Sequence, residues 1–139
     1  MVRRAPPYLA DFLNYHNFTG TEMGYFDHEK LDVYRAAIEL VAVVDTVINQ
    51  LPRGKAYLVD QIQRAGSSVP LNIAEGAGEY SSNEKIRFYR MARRSATECA
   101  AIFDVCKRLN LIQDEQYVTG RELLLRIVAM LTKMALVSS

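Results

Sequence analysis

The sequence predicts an all-α fold, an antiparallel up-down-up-down four-helix bundle with an irregular N-terminal arm, and three observations carry that prediction. Apolar residues recur at helical spacing from Leu31 nearly to the end of the chain. Capping and turn residues divide this stretch into four segments with short connections. Nowhere do apolar and polar residues alternate as they do along a half-buried strand. A length of 139 residues suits one domain, and the expected division is an aromatic-rich arm over 1–26 and the bundle over 27–139.

The first helix is expected over 28–50, with Asp27 as N-cap and Leu31, Tyr34, Ile38, Val41, Val44 or Asp45, and Ile48 as its buried stripe. Leu51-Pro52-Arg53-Gly54 stops it and turns the chain. The second helix should begin near Gly54, carry Tyr57, Leu58, Ile62, Ala65, Val69 and Ile73 inward, and close at Gly76-Ala77-Gly78 with a glycine in the left-handed conformation. Pro70 removes a backbone hydrogen bond, so a kink near Ser67–Pro70 is expected, the alternative being two shorter helices.

Ser81-Ser82-Asn83-Glu84 reads as a capping box opening a third helix over 82–109, which Asn110-Leu111 ends. Asp114 can cap the fourth, whose stripe is Leu123, Ile127, Met130, Met134 and Val137, widened by Leu124, Val128 and Leu131. Gly120 should cost that helix about 1 kcal/mol against alanine. Tyr8, Phe12, Tyr15, Phe18, Tyr25 and Phe26 set the first 26 residues apart, as an arm that packs on the bundle or on a neighbouring subunit.

Composition excludes several functions. A formal net charge of +1 gives no chain-wide field for nucleic acid or for cations. Cys99 and Cys106 are too few for a disulfide framework and stand about 10 Å apart along a helix, so they read as reduced core residues of a cytosolic protein. No apolar h-region follows the N-terminus and no run of about 18 apolar residues could span a bilayer. There is no Glu-x-x-His, no phosphate-binding glycine loop and no nucleophile elbow, and His16 and His28 lie far from the cysteines, so neither a metal nor another cofactor is expected.

Two residue groups stand out. Gln61, Arg64, Ser68, Asn72 and Glu75 fall within an arc of roughly 80° at the edge of the apolar face of the second helix. Ser95 and Glu98 on the third helix can face them, with Glu98 as a partner for Arg64. These residues read as a partly buried structural polar network, or as a ligand pocket built from Arg64, Asn72 and Glu75. The second group is basic. Residues 81–112 sum to +4, while 1–53 sum to −2, 54–80 to −1 and 113–139 to zero. Lys85, Arg87, Arg90, Arg93 and Arg94 are the candidate nucleic-acid-binding residues, with Lys107 and Arg108 further along. The other reading is a solvated face, or salt bridges across subunits to Glu29, Asp32, Glu39 and Asp45.

The block Gln61-Ile62-Gln63-Arg64-Ala65, then Ser67-Ser68-Val69-Pro70-Leu71-Asn72-Ile73-Ala74-Glu75-Gly76, then Ala92, Ser95 and Glu98, resembles the four-helix bundle proteins encoded by intervening sequences in bacterial 23S ribosomal RNA genes. Leu31-Asp32-Val33-Tyr34, Leu51-Pro52 and Leu109-Asn110-Leu111-Ile112 fit as well, so the resemblance covers about 27–136. It implies an antiparallel bundle, assembly into a ring-like homopentamer, and no established enzymatic activity. A related branch, the accessory proteins of diversity-generating retroelements, binds nucleic acid and tends to be strongly basic, where this chain is nearly neutral. The resulting expectation is a non-enzymatic cytoplasmic homo-oligomer that binds RNA or a nucleoprotein partner through the basic face of the third helix. A protein–protein scaffold without nucleic acid is the alternative.

Overall fold

The computed structural model describes residues 25–138, so of the aromatic arm only Tyr25 and Phe26 are within the described residues. A 3-10 turn, Asp27–Lys30, leads into α1 (Asp32–Ile48), α2 (Ala56–Gly78), α3 (Ser82–Arg108) and α4 (Asp114–Ser138). Each helix packs on the next and α1 also packs on α4, which closes a four-membered ring of helices around one core. Contacts show α2 and α3 to be antiparallel. Ser68 meets Ser95 near the middle, while Gly76 and Ala77, further along α2, meet Lys85 and Tyr89, earlier along α3. The same reversal relates α3 to α4, where Phe103 meets Gly120, Asp104 meets Tyr117 and Lys107 meets Asp114.

The start of α1 differs from expectation. Asp27 lies inside the 3-10 turn and Leu31, with extended backbone, occupies the N-cap position. Leu31 is half-buried against the core, so packing rather than a polar cap sets where the helix begins. The buried stripe of α1 is Val33, Ala36, Ala37, Leu40, Val44 and Val47. Of the residues expected inside, Leu31, Tyr34 and Ile48 flank that stripe and Val41 is exposed. Asp32, Arg35, Glu39 and Thr46 mark the polar side of this helix, and the expected stripe lies along one edge of the apolar arc rather than at its centre. The buried residues face away from those polar side chains, with Ala36 and Ala37 the smallest among them.

Gly54 has φ +92, which only glycine adopts without strain, and Lys55 N–H donates to the Pro52 carbonyl at 3.3 Å to close the turn before α2. α2 then runs unbroken through Pro70, so two shorter helices do not form. The proline ring is buried beside Val69 and Ile73, and its apolar area offsets the missing hydrogen bond. Neither Gly76 nor Gly78 takes the left-handed conformation expected of them. Gly76 serves a different need, since a Cβ there would stand 2.7 Å from the Tyr89 ring of α3.

At the start of α3, Ser81 Oγ accepts from Glu84 N–H at 3.4 Å, while the Glu84 carboxylate turns to Arg87 rather than completing a capping box. The end of α3 is a Schellman motif: Asn110 has φ +58, its N–H donates to Lys107 O, and Leu111 N–H donates to Cys106 O at 2.9 Å. Asp114 is the first residue of α4, and the Gln116 side chain reaches back to accept from Gln113 N–H. Gly120, Leu124, Ile127 and Leu131 form the buried stripe of α4. Leu123, Met130 and Met134 border it and Val137 is exposed. Gly120 is required because the Phe103 ring of α3 rests on it, 2.6 Å from where a Cβ would be.

Gly120→Ala should therefore destabilise the bundle by about 1–3 kcal/mol through overpacking, although alanine is the better helix former. Gly78→Ala, where nothing lies within 4 Å of the new Cβ, should be neutral or stabilising by up to about 1 kcal/mol. Urea unfolding followed by circular dichroism measures both, and equal effects at the two positions would contradict the packing.

Candidate nucleic-acid interface

The inward face of α3 is apolar and small: Ile86, Tyr89, Ala92, Ala96, Cys99, Ile102, Phe103 and Cys106 are buried. Burying these residues fixes the rotation of the helix, and Arg87, Arg90, Arg93 and Arg94 are left exposed. Asn83, Ile86, Arg87, Arg90, Met91 and Arg94 line a shallow groove of about 370 Å³. Arg90, Arg93, Arg94 and Thr97 line a second of about 400 Å³. Arg90 and Arg94 belong to both grooves, so the two form one shelf along the helix.

The cations of this helix are not equivalent. Lys85 was expected on the basic face, but its ammonium donates to Gly76 O at 3.3 Å and to Ala77 O at 3.0 Å. It thereby satisfies carbonyls that the last turn of α2 leaves open. Lys107 pairs with Asp114, and its ammonium lies over the Tyr117 ring, 5.9 Å from the centroid. Arg87 pairs with Glu84 at 3.1 Å and lies 5.0 Å over the Phe88 ring. Arg90, Arg93 and Arg94 make no ion pair with the described residues. Like charges at i,i+3 and i,i+4 cost a helix a few tenths of a kcal/mol per pair, a cost that a bound anion would relieve.

The acidic residues of α1 do not neutralise this shelf within the chain. Helix α1 does not adjoin α3. Asp32 pairs with Arg35 at 3.1 Å, and Glu29 accepts from Phe26 N–H.

The polar seam between α2 and α3 is smaller than the sequence suggests. Asn72 Nδ2 donates to both Ser68 O and Ser68 Oγ at 2.8 Å, and Ser95 Oγ bonds to Ser68 Oγ at 2.9 Å. These three half-buried residues form the network. Gln61, Arg64 and Glu98 line an open groove of about 300 Å³ beside it, together with Ser68 and Ser95. Arg64 and Glu98 are both exposed and form no ion pair with each other; Arg64 Nε donates instead to Asp60 O at 3.4 Å. Glu75 is exposed and does not join the network. The charged members of the arc lie on the solvent side, where hydration favours them over burial.

Tyr80, in the connection between α2 and α3, carries no spacing signal because it belongs to no helix stripe. Its only sequence signal is an aromatic residue in a turn beside Gly78 and Ser81-Ser82. No cluster of three or more His, Cys, Asp or Glu that could hold a metal occurs among the described residues. No helix there is long and apolar enough to cross a membrane. Cys99 and Cys106 are free and buried. Burial pushes both thiols up, Cys99 to about 12 with the nearby Glu98 charge adding to the effect.

A ring of four helices around one core, with an exposed row of arginines and a short polar seam, defines a helical bundle. The family model described as 23S rRNA-intervening sequence protein matches residues 29–133, and the chain belongs to that family. Among solved structures, a protein of unknown function from the S23 ribosomal protein family of Bacteroides thetaiotaomicron superposes with a TM-score of 0.69 at 22% identity. The match covers 74% of this chain and 97% of that one, and shows a shared fold. No curated protein matches the chain.

At about pH 8 a thiol reagent should leave both cysteines unlabelled in the native protein and label both after unfolding. Because the folded state holds the Cys99 proton more tightly, stability should fall as pH rises from the ordinary thiol value of 9.0 toward about 12. Rapid labelling of the native protein would contradict the burial.

Proposed function

We propose that this protein is a non-enzymatic, homo-oligomeric helical bundle that binds RNA or a nucleoprotein through the outward face of α3, the resemblance favouring a pentamer. Arg90, Arg93 and Arg94 hold phosphate, and Arg87, anchored by Glu84, sits at the edge of the same shelf. The observation that carries this reading is the set of three exposed guanidinium groups with no ion pair to the described residues. Each can release a condensed counterion from RNA, so affinity should fall with salt with a slope of about −2 to −3 in log units. Repeating the shelf around a homo-oligomer would multiply the field of a chain whose net charge is only +1.

A second reading, a scaffold that touches no nucleic acid, draws on the outward face of α4. Val118 and Leu125, seven residues apart on that helix, are both exposed. A helix face of this kind fits another helix better than it fits water.

The Arg87/Arg90/Arg94→Glu variant should keep its helical content and lose binding to ribosomal RNA fragments in a salt-titrated anisotropy assay. Salt-independent binding, or binding that survives the charge reversal, would refute the phosphate reading. For the scaffold, Leu125→Glu should shift the mass measured by light scattering toward smaller species. An unchanged mass would remove α4 from any assembly.

A further inference from the structure

Tyr80 is 103% exposed, the most exposed of the large apolar and aromatic side chains described. A phenol ring in water gains nothing for the fold, and neither neighbour in the chain covers it. Glu79 before it is extended (φ −79, ψ 142), which carries the chain out of α2, and Ser81 after it begins α3 as its N-cap. The ring therefore stands at the mouth of the helix that bears the arginine shelf. Arg87 follows about 10 Å further along, and Arg90 and Arg94 come in steps of about 4.5 and 6 Å, a spacing on the scale of one nucleotide.

The groove that the arginines line, beginning three residues after Tyr80 at Asn83, has a mixed lining. Ile86 and Met91 supply apolar surface, Asn83 an amide, and Arg87, Arg90 and Arg94 positive charge. A bare phosphate needs only the charge. A nucleotide uses all three, with the ribose and base edge against the apolar and amide groups and the phosphate on the guanidinium groups. Paired bases are stacked within a duplex and offer no free face to an external ring, whereas an unpaired base does.

We infer, resting on the phosphate reading above, that the ligand is single-stranded or looped-out RNA. An unpaired base stacks on Tyr80 while the adjoining backbone runs along Arg87, Arg90 and Arg94. The aromatic ring selects the unpaired state and is indifferent to base identity, because every base has a π face. The arginines supply the salt-dependent part of the affinity and the tyrosine a salt-independent part.

The full-length protein can be titrated into a fluorescein-labelled oligouridylate of about 12 nucleotides, and into the same strand annealed to its complement. The single strand should bind more tightly than the duplex. Tyr80→Ala should weaken single-strand binding about tenfold, the effect of losing one base stack, with the salt slope unchanged. Tyr80→Phe should restore it, since the ring and not the hydroxyl is used. Arg90→Glu with Arg94→Glu should weaken binding to both probes and flatten the salt slope. If Tyr80→Ala binds as wild type, or if duplex is preferred, while the arginine variant still loses binding, the stacking inference fails and the phosphate reading stands. If wild type binds neither probe, both fail. Because Tyr80 is fully exposed, its variants should retain the wild-type circular dichroism spectrum, so lost binding is not lost folding.

Discussion

Two aromatic rings of α3 rest on two glycines, and the close approach of α2 and α4 to α3 depends on that pair of contacts. Tyr89 lies against Gly76 of α2 and Phe103 against Gly120 of α4. A Cβ at either glycine would stand well inside van der Waals contact with the ring. The rings are about 21 Å apart along the helix, and together they hold α3 against both neighbours and fix its rotation. Ala92, Ala96 and Cys99, buried between the rings, keep the helices close over the intervening turns.

Fixing the inward face of α3 also decides what its outward face offers. With Ile86, Tyr89, Ala92, Ala96 and Phe103 buried, the arginines have nowhere to go but solvent. Two cations toward the ends of the helix have structural duties. Lys85 caps α2, and Lys107 ties α3 to the first turn of α4. Arg90, Arg93 and Arg94 in the middle make no ion pair with the described residues, nor does Arg108 at the end, so the free positive charge is densest in the middle. The same geometry sorts the seam between α2 and α3. Ser68, Asn72 and Ser95 lie close enough to the core to need one another, whereas Arg64 and Glu98 reach past the groove to water.

The four helices are legible in the sequence because caps and turns are local. Ser81 before α3, Asn110 in the left-handed conformation after it, and Gly54 in the first turn act through backbone geometry within a few residues. The apolar faces of α2 and α3 are legible too, since Leu58, Ile62, Val69 and Ile73 stand opposite charged residues that settle the phase. The centre of the α1 face is harder to place. Ala36 and Ala37, in the middle of its inward arc, carry little hydropathy signal, so the larger residues at the edge of the arc dominate the reading and Val41, which reads as buried, is exposed. Gly120 reads as a weakness of α4 until the ring of Phe103 is set against it.

What the sequence determines by itself is the all-α class, the helix boundaries to within a few residues, and the concentration of positive charge between Lys85 and Arg94. Each of these follows from periodicity, capping chemistry or composition within one segment. Tertiary structure alone decides why Gly76 and Gly120 are glycine, which cations are engaged, and that Arg64 and Glu98 do not pair. Those outcomes depend on the distance between side chains on different helices. Interhelical packing sets that distance, and no spacing along one helix encodes it.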